Sequence, residues 1–176
     1  MGKLIYSMIT SLDGFVSDPA GNFGWGAPEQ ESHDFINHHS RSIGTYLYGR
    51  RMYETMVYWE TPHAPPDQPP FILEYARIWQ AADKVVYSTT LNEVASARTR
   101  IERTFDREAV RQLKAGSDLA LSLDGPHLAA QAIRPGSSMS TSSSSDRRSS
   151  VGAIRCSQTM SASISSCWTS GDSAMV

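Results

Sequence analysis

The sequence has little cysteine and no long apolar run. Its two cysteines, Cys156 and Cys167, form neither a CxxC pair nor a pattern typical of zinc ligands. The apolar runs are too short to span a bilayer, and the start MGKLIYSMITSLDG lacks the regions of a secretory signal. We therefore expect a cytoplasmic protein with no disulfide framework, no structural zinc and no membrane partner.

The chain also has little net charge. Its 16 basic and 18 acidic side chains leave a formal charge of -2, and no basic stripe accompanies the aromatic residues. This balance gives no reason to expect nucleic acid as a partner. His33, His38 and His39 fall on one predicted helix but lack the HExxH spacing, so we expect no metal site there.

The composition changes after Arg134. Residues 135–176 contain 16 serines, whereas the preceding 134 residues contain 10. The first region alternates apolar runs with helical patterns, and the second shows no sustained periodicity. We therefore expect one folded domain over residues 1–134 and an anomalous, disordered tail over residues 135–176.

Strands and helices alternate along the first region. Short apolar runs predict strands at Lys3–Ile9, Tyr46–Tyr48, Lys84–Tyr87, Arg98–Phe105 and Asp118–Leu121. Helical patterns lie at Pro28–Arg41, after Gly49, at Phe71–Ala82, after the N-cap Asp106 as far as Gly116, and from Pro126 onwards. This alternation predicts an α/β fold, with a largely parallel sheet covered by helices on both faces.

Three turns that follow these strands contain residues suited to phosphate. They are Gly49-Arg50-Arg51, Ser88-Thr89-Thr90 and Asp124-Gly125-Pro126. We expect Gly49 to let the backbone turn tightly into the following helix. Because ligands gather at the carboxyl ends of parallel strands, we expect the three turns to lie on one edge of the sheet and to bind a dinucleotide. No GxGxxG or GxxxxGK[ST] motif occurs, which argues against a Rossmann or P-loop site. Ordinary turns with solvated arginines remain an alternative interpretation.

Four segments, taken together and in this order, resemble the dihydrofolate reductase-like superfamily. They are SxxxSLDGFVSD, YLYGRRMYETM, VVYST and DGPHLAAQAIR. The nearest resemblance within it is to the reductase domain of the bifunctional riboflavin-biosynthesis deaminase-reductase, especially its small stand-alone members. The resemblance implies a three-layer fold with a mostly parallel central sheet, whose last strands are here missing or aberrant.

The resemblance also implies an activity. Such a protein uses NADPH to transfer a hydride to a small heterocyclic substrate, either an aminopyrimidine precursor of riboflavin or a dihydrofolate-like pterin. The small relatives form homodimers, so a homodimer is expected as well. No HxE with PCxxC occurs, so an attached deaminase domain is not expected.

Roles for individual residues follow from the resemblance by matching motifs. Ile9 and Val16 would border the nicotinamide, and Ser88 with Thr89 would select the phosphate on the adenosine ribose. Gly125 with Pro126 would place a helix start against the pyrophosphate. The phosphates and nearby ribose would be held by Gly49, Arg50, Arg51 and Met52. Asp124 stands where relatives often carry glycine, and we expect it to cap the following helix.

Hydride transfer also requires a proton donor, and two carboxylates are candidates. Asp34 lies on the helix before the Gly49 strand, near the position where dihydrofolate reductases keep an acid. Asp13, in SLDGF, is the second candidate. A solvated helix residue and an Asp-Gly turn are the respective alternatives. Trp25 either closes over the substrate or packs its own loop.

The genetic code suggests an origin for the tail. When the codons of residues 135–176 are read from their third base, serine codons become apolar ones, and the shifted text resembles the final strands of the family. Met and Trp each have a single codon, so Met139, Trp168 and Met175 restrict which residue can follow at each place in the shifted frame. At all three places an allowed residue fits the family. We therefore expect a one-base slip near Arg134, with a genuine serine-rich tail as the alternative. A nucleotide-binding module without turnover and an inactive product of a damaged frame are the alternative functions.

Overall fold

The structure is a computed structural model that describes residues 2–11, 13–24, 28–61, 68–133 and 140–146. Its strands are β1 Leu4–Ser11, β2 Ile43–Gly49, β3 Asp83–Tyr87, β4 Thr99–Glu102, β5 Ala120–Asp124 and β6 Ser140–Asp146. Its α-helices are α1 Gln30–Ser40, α2 Arg50–Met56, α3 Pro70–Ala81, α4 Arg107–Ala115 and α5 Pro126–Ile133, and a 3-10 turn covers Val57–Trp59. By their contacts the described residues divide into two compact units, one from the ranges 2–6, 28–133 and 140, and the other from the ranges 7–24 and 141–146.

The sheet has the strand order β4-β3-β2-β5-β1-β6. The pairings of β1 with β5, β2 with β5, β2 with β3 and β3 with β4 are all parallel. Five neighbouring strands therefore run in one direction, which confirms the predicted parallel sheet. Parallel neighbours need crossover connections, which helices supply here except between β3 and β4, where residues 88–98 contain no helix.

Apolar residues alternate between the two faces of this sheet. Along β2, Tyr46 and Tyr48 join one buried cluster with Tyr75 and Trp79 of α3, while Leu47 joins the other. The second cluster contains residues of α4, β5 and α5, namely Val110, Leu121, Leu123, Leu128, Ala129 and Ala132. Each fully buried leucine contributes about 2 kcal/mol through removal of its surface from water. Helices therefore cover both faces, as the alternation of elements predicted.

Local signals set several of the helix ends. Asp106 is the N-cap of α4, where its Oδ1 accepts the N–H of Glu108 at 2.9 Å, and Gly116 is the C-cap. Pro126 is the first residue of α5. These three predictions are confirmed, because short-range hydrogen bonds and backbone restrictions act independently of the tertiary structure.

Two predictions about strands were wrong. Strand β5 ends at Asp124 instead of Leu121, because Ser122 and Asp124 are buried and hydrogen bonded to each other within it. Residues 140–146, which were expected to be disordered, form β6 beside β1. An edge strand needs only its backbone to pair, so a serine-rich segment can occupy that position. The rest of the tail lies outside the described residues, and the boundary at Arg134 stays a prediction.

Neither a membrane-spanning helix nor a metal cluster occurs in the described ranges. No helix there is long and apolar enough to cross a membrane. No group of three or more His, Cys, Asp or Glu side chains is placed there to hold a metal ion.

Candidate functional site

The three predicted turns lie on the same edge of the sheet. Gly49 at the end of β2 is in register with Tyr87 at the end of β3, and Tyr48 is in register with Asp124 at the end of β5. The segments that leave these strands therefore start side by side. This placement confirms the geometric part of the prediction, and we call this region the carboxyl edge.

The connection after β2 is immediate, because β2 ends at Gly49 and α2 begins at Arg50. Gly49 has φ -76° and ψ 160°, an extended conformation that any residue adopts. A Cβ added there would meet nothing within 4 Å. The chain therefore turns directly from strand to helix as expected, but the backbone at this position does not require glycine. The absence of a side chain at Gly49 leaves free space above the start of α2.

Two arginines begin α2 and differ in their contacts. Arg50 donates from Nε to Glu54 Oε1 at 2.7 Å and from Nη1 to Thr90 Oγ1 at 2.8 Å. The guanidinium of Arg51 has no hydrogen bond or ion pair within the described ranges. An exposed pair such as Arg50 with Glu54 contributes only about 0.3–0.5 kcal/mol. Both arginines are therefore available to an anion at little energetic cost.

The turn after β3 is organised by Ser88. Its hydroxyl oxygen accepts the N–H groups of Thr90 at 3.2 Å and Leu91 at 2.9 Å, and its side chain is buried. Thr89 is exposed. Among the described residues the Ser88 hydroxyl hydrogen has no acceptor and the Thr89 side chain is exposed, while the backbone of the turn is held in place.

The turn after β5 requires glycine. Gly125 has φ +101°, which a residue with a side chain rarely adopts, and a Cβ there would lie 3.6 Å from Met52 Cβ. Gly125 therefore lies close to the first turn of α2. It precedes Pro126, so two helices begin near each other at the carboxyl edge.

Asp124 does not cap α5, contrary to the prediction. It is the last residue of β5, its side chain is buried, and its Oδ1 accepts the Ser122 hydroxyl at 2.9 Å. Burial raises its pKa to about 7, although the Ser122 hydrogen bond lowers it. Gly125 takes the position before the helix instead. Asp124 is therefore partly protonated at neutral pH, and it repels an anion at the carboxyl edge less strongly than an exposed carboxylate would.

The two candidate proton donors are both exposed. Asp34 lies on α1, beside a surface cavity of about 240 Å³ that Glu74 also lines. The buried face of α1 carries His33, Asn37 and Ser40 instead. Burial lowers the pKa of His33, whose ring lies 5.0 Å from that of Phe71. The rotation of α1 about its axis therefore buries His33. The sequence analysis considered the next residue, Asp34, which is exposed.

Asp13 lies in a turn of the other unit. Ser11 N–H donates to the Phe15 carbonyl at 2.9 Å, and the Gly14 N–H donates to the Ser11 carbonyl at 2.9 Å. Asp13 is exposed within this turn, as the turn interpretation anticipated. Ile9 in β1 and Val16 are half-buried in the same unit, and Trp25 lies outside the described residues. Their contacts with nicotinamide or substrate stay predictions.

The sequence analysis missed one residue of the carboxyl edge. Arg103 directly follows β4 and donates from Nη1 to the carbonyls of Ser88 at 3.0 Å and Leu91 at 2.7 Å. A signal was available, because a basic residue after a parallel strand falls on the same edge as the other turns.

The topology and the carboxyl-edge turns define the fold as that of the dihydrofolate reductase-like class. A protein assigned to riboflavin biosynthesis from Shewanella sp. PV-4 has the same fold, with a TM-score of 0.65 and 15% identity over 91% of this chain and 86% of that chain. Dihydrofolate reductase from Enterococcus faecalis, in complex with NADP(H), gives a TM-score of 0.54 and 11% identity over 89% of this chain and 78% of that chain. No protein-family model and no curated protein matches the sequence. At these identities the likeness establishes the fold.

Proposed function

We propose that this protein is an NADPH-dependent reductase that transfers a hydride to a small heterocyclic substrate. The observation that carries the proposal is the carboxyl edge, where Arg50, Arg51 and the Gly125 turn lie together in a fold shared with an NADP(H)-bound dihydrofolate reductase. A dinucleotide carries a pyrophosphate and, in NADPH, a further phosphate. Guanidinium groups bind such groups through paired, charge-assisted hydrogen bonds.

The protein's part in the reaction is binding and alignment. NADPH supplies the hydride when bound, and the chain holds its phosphates so that the reduced ring is presented at a fixed place. Arg50 and Arg51 bind phosphate oxygens, and Ser88 with Thr89 contact the ribose phosphate. The substrate is an aminopyrimidine of riboflavin synthesis or a dihydrofolate-like pterin. A homodimer and a cytoplasmic location belong to the same proposal.

The direct test is a fluorescence titration of NADPH, followed by a turnover assay. We expect saturable binding, and oxidation of NADPH with either dihydrofolate or a ribosylaminopyrimidine, measured by loss of the reduced-nicotinamide absorbance. Arg111→Gln is the matched control, because Arg111 is an exposed arginine of α4 that pairs with Glu108. Absence of NADPH binding in a folded sample would refute the cofactor assignment.

One observation favours nucleotide binding without turnover. Both predicted proton donors, Asp13 and Asp34, are exposed. An exposed carboxylate stands in water instead of in a closed pocket against the substrate, so it is poorly placed to transfer a proton to a bound ring. NADPH binding without oxidation by any substrate of the panel would support this second function.

The tail motivates an additional proposal, that residues 135–176 are translated out of frame and reduce stability or activity. In support, β6 contains five serines in seven residues and no apolar residue, whereas a strand that packs on a core normally buries apolar side chains. We expect the chain with its frame restored after Arg134 to unfold cooperatively at a higher denaturant concentration and to bind NADPH more tightly. The coding DNA is an independent check, because codons that cannot spell the shifted sequence exclude the slip.

A further inference from the structure

The proposed reduction consumes a proton as well as a hydride, so the site needs an acid. Asp13 and Asp34 were the predicted candidates, but both are exposed. Asp124 is buried instead, and it is the last residue of β5, directly before the Gly125 turn. It therefore lies at the edge of the sheet where parallel α/β folds bind their ligands.

Asp124 faces the side of the sheet that α3 covers. Tyr48 of β2 is in register with Asp124, and residues directly opposite each other in neighbouring strands point to the same face. Tyr48 belongs to the buried cluster that contains Tyr75 of α3, and Ile36 of α1 and Met52 of α2 pack against this cluster. Asp124 therefore lies where the carboxyl edge meets an apolar layer, which shields a carboxyl group from water.

Ser122 orients the carboxyl group of Asp124. Its hydroxyl donates to Oδ1 at 2.9 Å, and both side chains are buried. Because Oδ1 accepts this bond, the proton of the neutral carboxyl is placed on Oδ2. Asp124 is 7% exposed, so the residue is not sealed from a ligand at the carboxyl edge.

The other titratable or charged groups on the elements packed around Asp124 hold their protons differently. These groups are Tyr46 and Tyr48 of β2, Tyr75 of α3, His33 of α1, Arg50 and Arg51 of α2, and His127 of α5. Burial raises the pKa of each tyrosine, so each holds its proton too tightly to donate it at neutral pH. Burial lowers the pKa of His33, which is therefore neutral, and the arginines and His127 are exposed. Asp124, whose pKa burial raises to about 7, is the buried acid of this set that releases a proton near neutral pH.

We propose that Asp124 is the general acid of the reduction and donates its proton to the substrate. This inference rests on the proposed function, since it assigns the proton donor of the same reaction. In the balanced step, the carbon of the substrate C=N bond accepts the hydride of NADPH, and its nitrogen accepts the proton from Asp124 Oδ2. The C=N double bond becomes a single bond that carries new C–H and N–H bonds. NADP⁺ and the Asp124 carboxylate remain, and the carboxylate regains its proton from water.

The experiment compares the wild type with Asp124→Asn, using dihydrofolate and a ribosylaminopyrimidine as substrates. Asparagine keeps the size of the side chain and an acceptor for the Ser122 hydroxyl, but it has no acidic proton. We expect kcat to fall about a hundredfold or more, as for the loss of a general acid. At about pH 6, where wild-type Asp124 is mostly protonated and uncharged, NADPH affinity should change by no more than about twofold.

The pH dependence separates proton donation from a structural role. Wild-type kcat should fall as the pH rises through about 7, because Asp124 then loses its proton. In Asp124→Asn this fall should disappear. Asp118→Asn is the matched control, since Asp118 is exposed and lies just before the opposite end of β5. It should keep both the wild-type kcat and the wild-type pH profile.

The contrary outcomes distinguish this role from the proposed function. An Asp124→Asn variant with the wild-type kcat and pH profile would overturn the role of Asp124 and leave the reductase function intact. If this variant does not fold, the wild-type profile decides, because a kcat that is constant between about pH 6 and pH 9 excludes an acid that titrates in that range. NADPH binding without turnover of either substrate by the wild type would refute the reductase function itself, and with it the role of Asp124.

Discussion

The two edges of the parallel sheet differ in how their charges are balanced. At the amino edge, Arg41 is paired with Glu74 and Arg98 with Asp83, around a cavity of about 430 Å³. At the carboxyl edge, Arg51 and Arg103 have no carboxylate partner among the described residues. This cavity therefore lies at the edge where the arginines are already neutralised. Arginines without a carboxylate partner therefore indicate an anion-binding edge better than the volume of a cavity does.

The acids of the two edges differ as well. A hydrogen bond from Arg41 lowers the pKa of the half-buried Glu74, whereas burial raises the pKa of Asp124 to about 7. The amino edge thus stabilises its carboxylates through cations, and the carboxyl edge holds one acid in a poorly solvated position. The two edges consequently respond differently to pH and to substitution.

The largest expected effect comes from Asp124→Asn. An unfolded aspartate ionises near pH 4, but folded Asp124 ionises near pH 7, so its contribution to stability falls as pH rises through this window. The groups around it, Tyr46, Tyr48 and Tyr75, have raised pKa values and stay neutral there. Relative to wild type, the variant should gain up to about 4 kcal/mol between pH 4 and pH 8, at roughly 1.4 kcal/mol per pKa unit.

Urea denaturation across this pH range measures the difference. Asp83→Asn is the control at the amino edge, since Asp83 is exposed and paired with Arg98. We expect Asp83→Asn to change the stability by no more than about 1 kcal/mol, because an exposed ion pair contributes little. A difference for Asp124→Asn that does not change with pH would show that Asp124 ionises normally.

The next prediction compares NADPH binding after removal of one arginine from each edge, and its expected effect is smaller. Arg51→Gln removes an unpaired cation from the carboxyl edge, and we expect it to weaken NADPH binding about tenfold or more, as for a lost charge-assisted contact. Arg41→Gln removes a cation that Glu74 already neutralises, and it should leave NADPH binding unchanged. Fluorescence titration at two salt concentrations measures both, and only the Arg51 variant should lose salt dependence. Equal effects of the two substitutions would contradict the contrast between the edges.

The smallest effect is expected at Arg98. Its φ of +53° is unfavourable for a residue with a side chain. Arg98→Gly and Arg98→Ala both remove the exposed ion pair with Asp83, but only glycine relieves the backbone strain. We therefore expect the glycine variant to be about 1 kcal/mol more stable than the alanine variant. Urea denaturation gives the comparison, NADPH binding should be unaffected in both, and a more stable alanine variant would argue against strain.

The buried strand Tyr46–Tyr48 and the ends of α4 and α5 were predictable because their causes are local. A run of apolar residues identifies a buried strand, and Asp106 and Pro126 act on backbone groups within a few positions of themselves. The turns at the carboxyl edge were predictable too, because parallel strands place their ends together. The position of these turns on one edge was therefore predictable from the sequence, Arg103 was missed, and the binding roles of the residues stay predictions.

Other features depended on long-range packing. Asp34 lies outward and His33 inward because the packing of α1 against α3 sets the rotation of the helix, which spacing along the sequence leaves open by one residue. Asp124 was expected to cap a helix, but the register of β5 beside β2 buries it in the sheet. Gly49 was expected to be needed for the turn after β2, but its backbone is extended in the structure, a conformation that any residue adopts.

The sequence by itself determined the order of strands and helices, the parallel sheet and the phosphate-suited turns, because those follow from local periodicity and backbone chemistry. Only the tertiary structure decided which charged side chains form ion pairs, which aspartate is buried and which arginines contact the turn after β3. The physical reason is that charge pairing and desolvation depend on distances between residues far apart in the chain, such as Arg103 and Ser88 or Arg50 and Thr90.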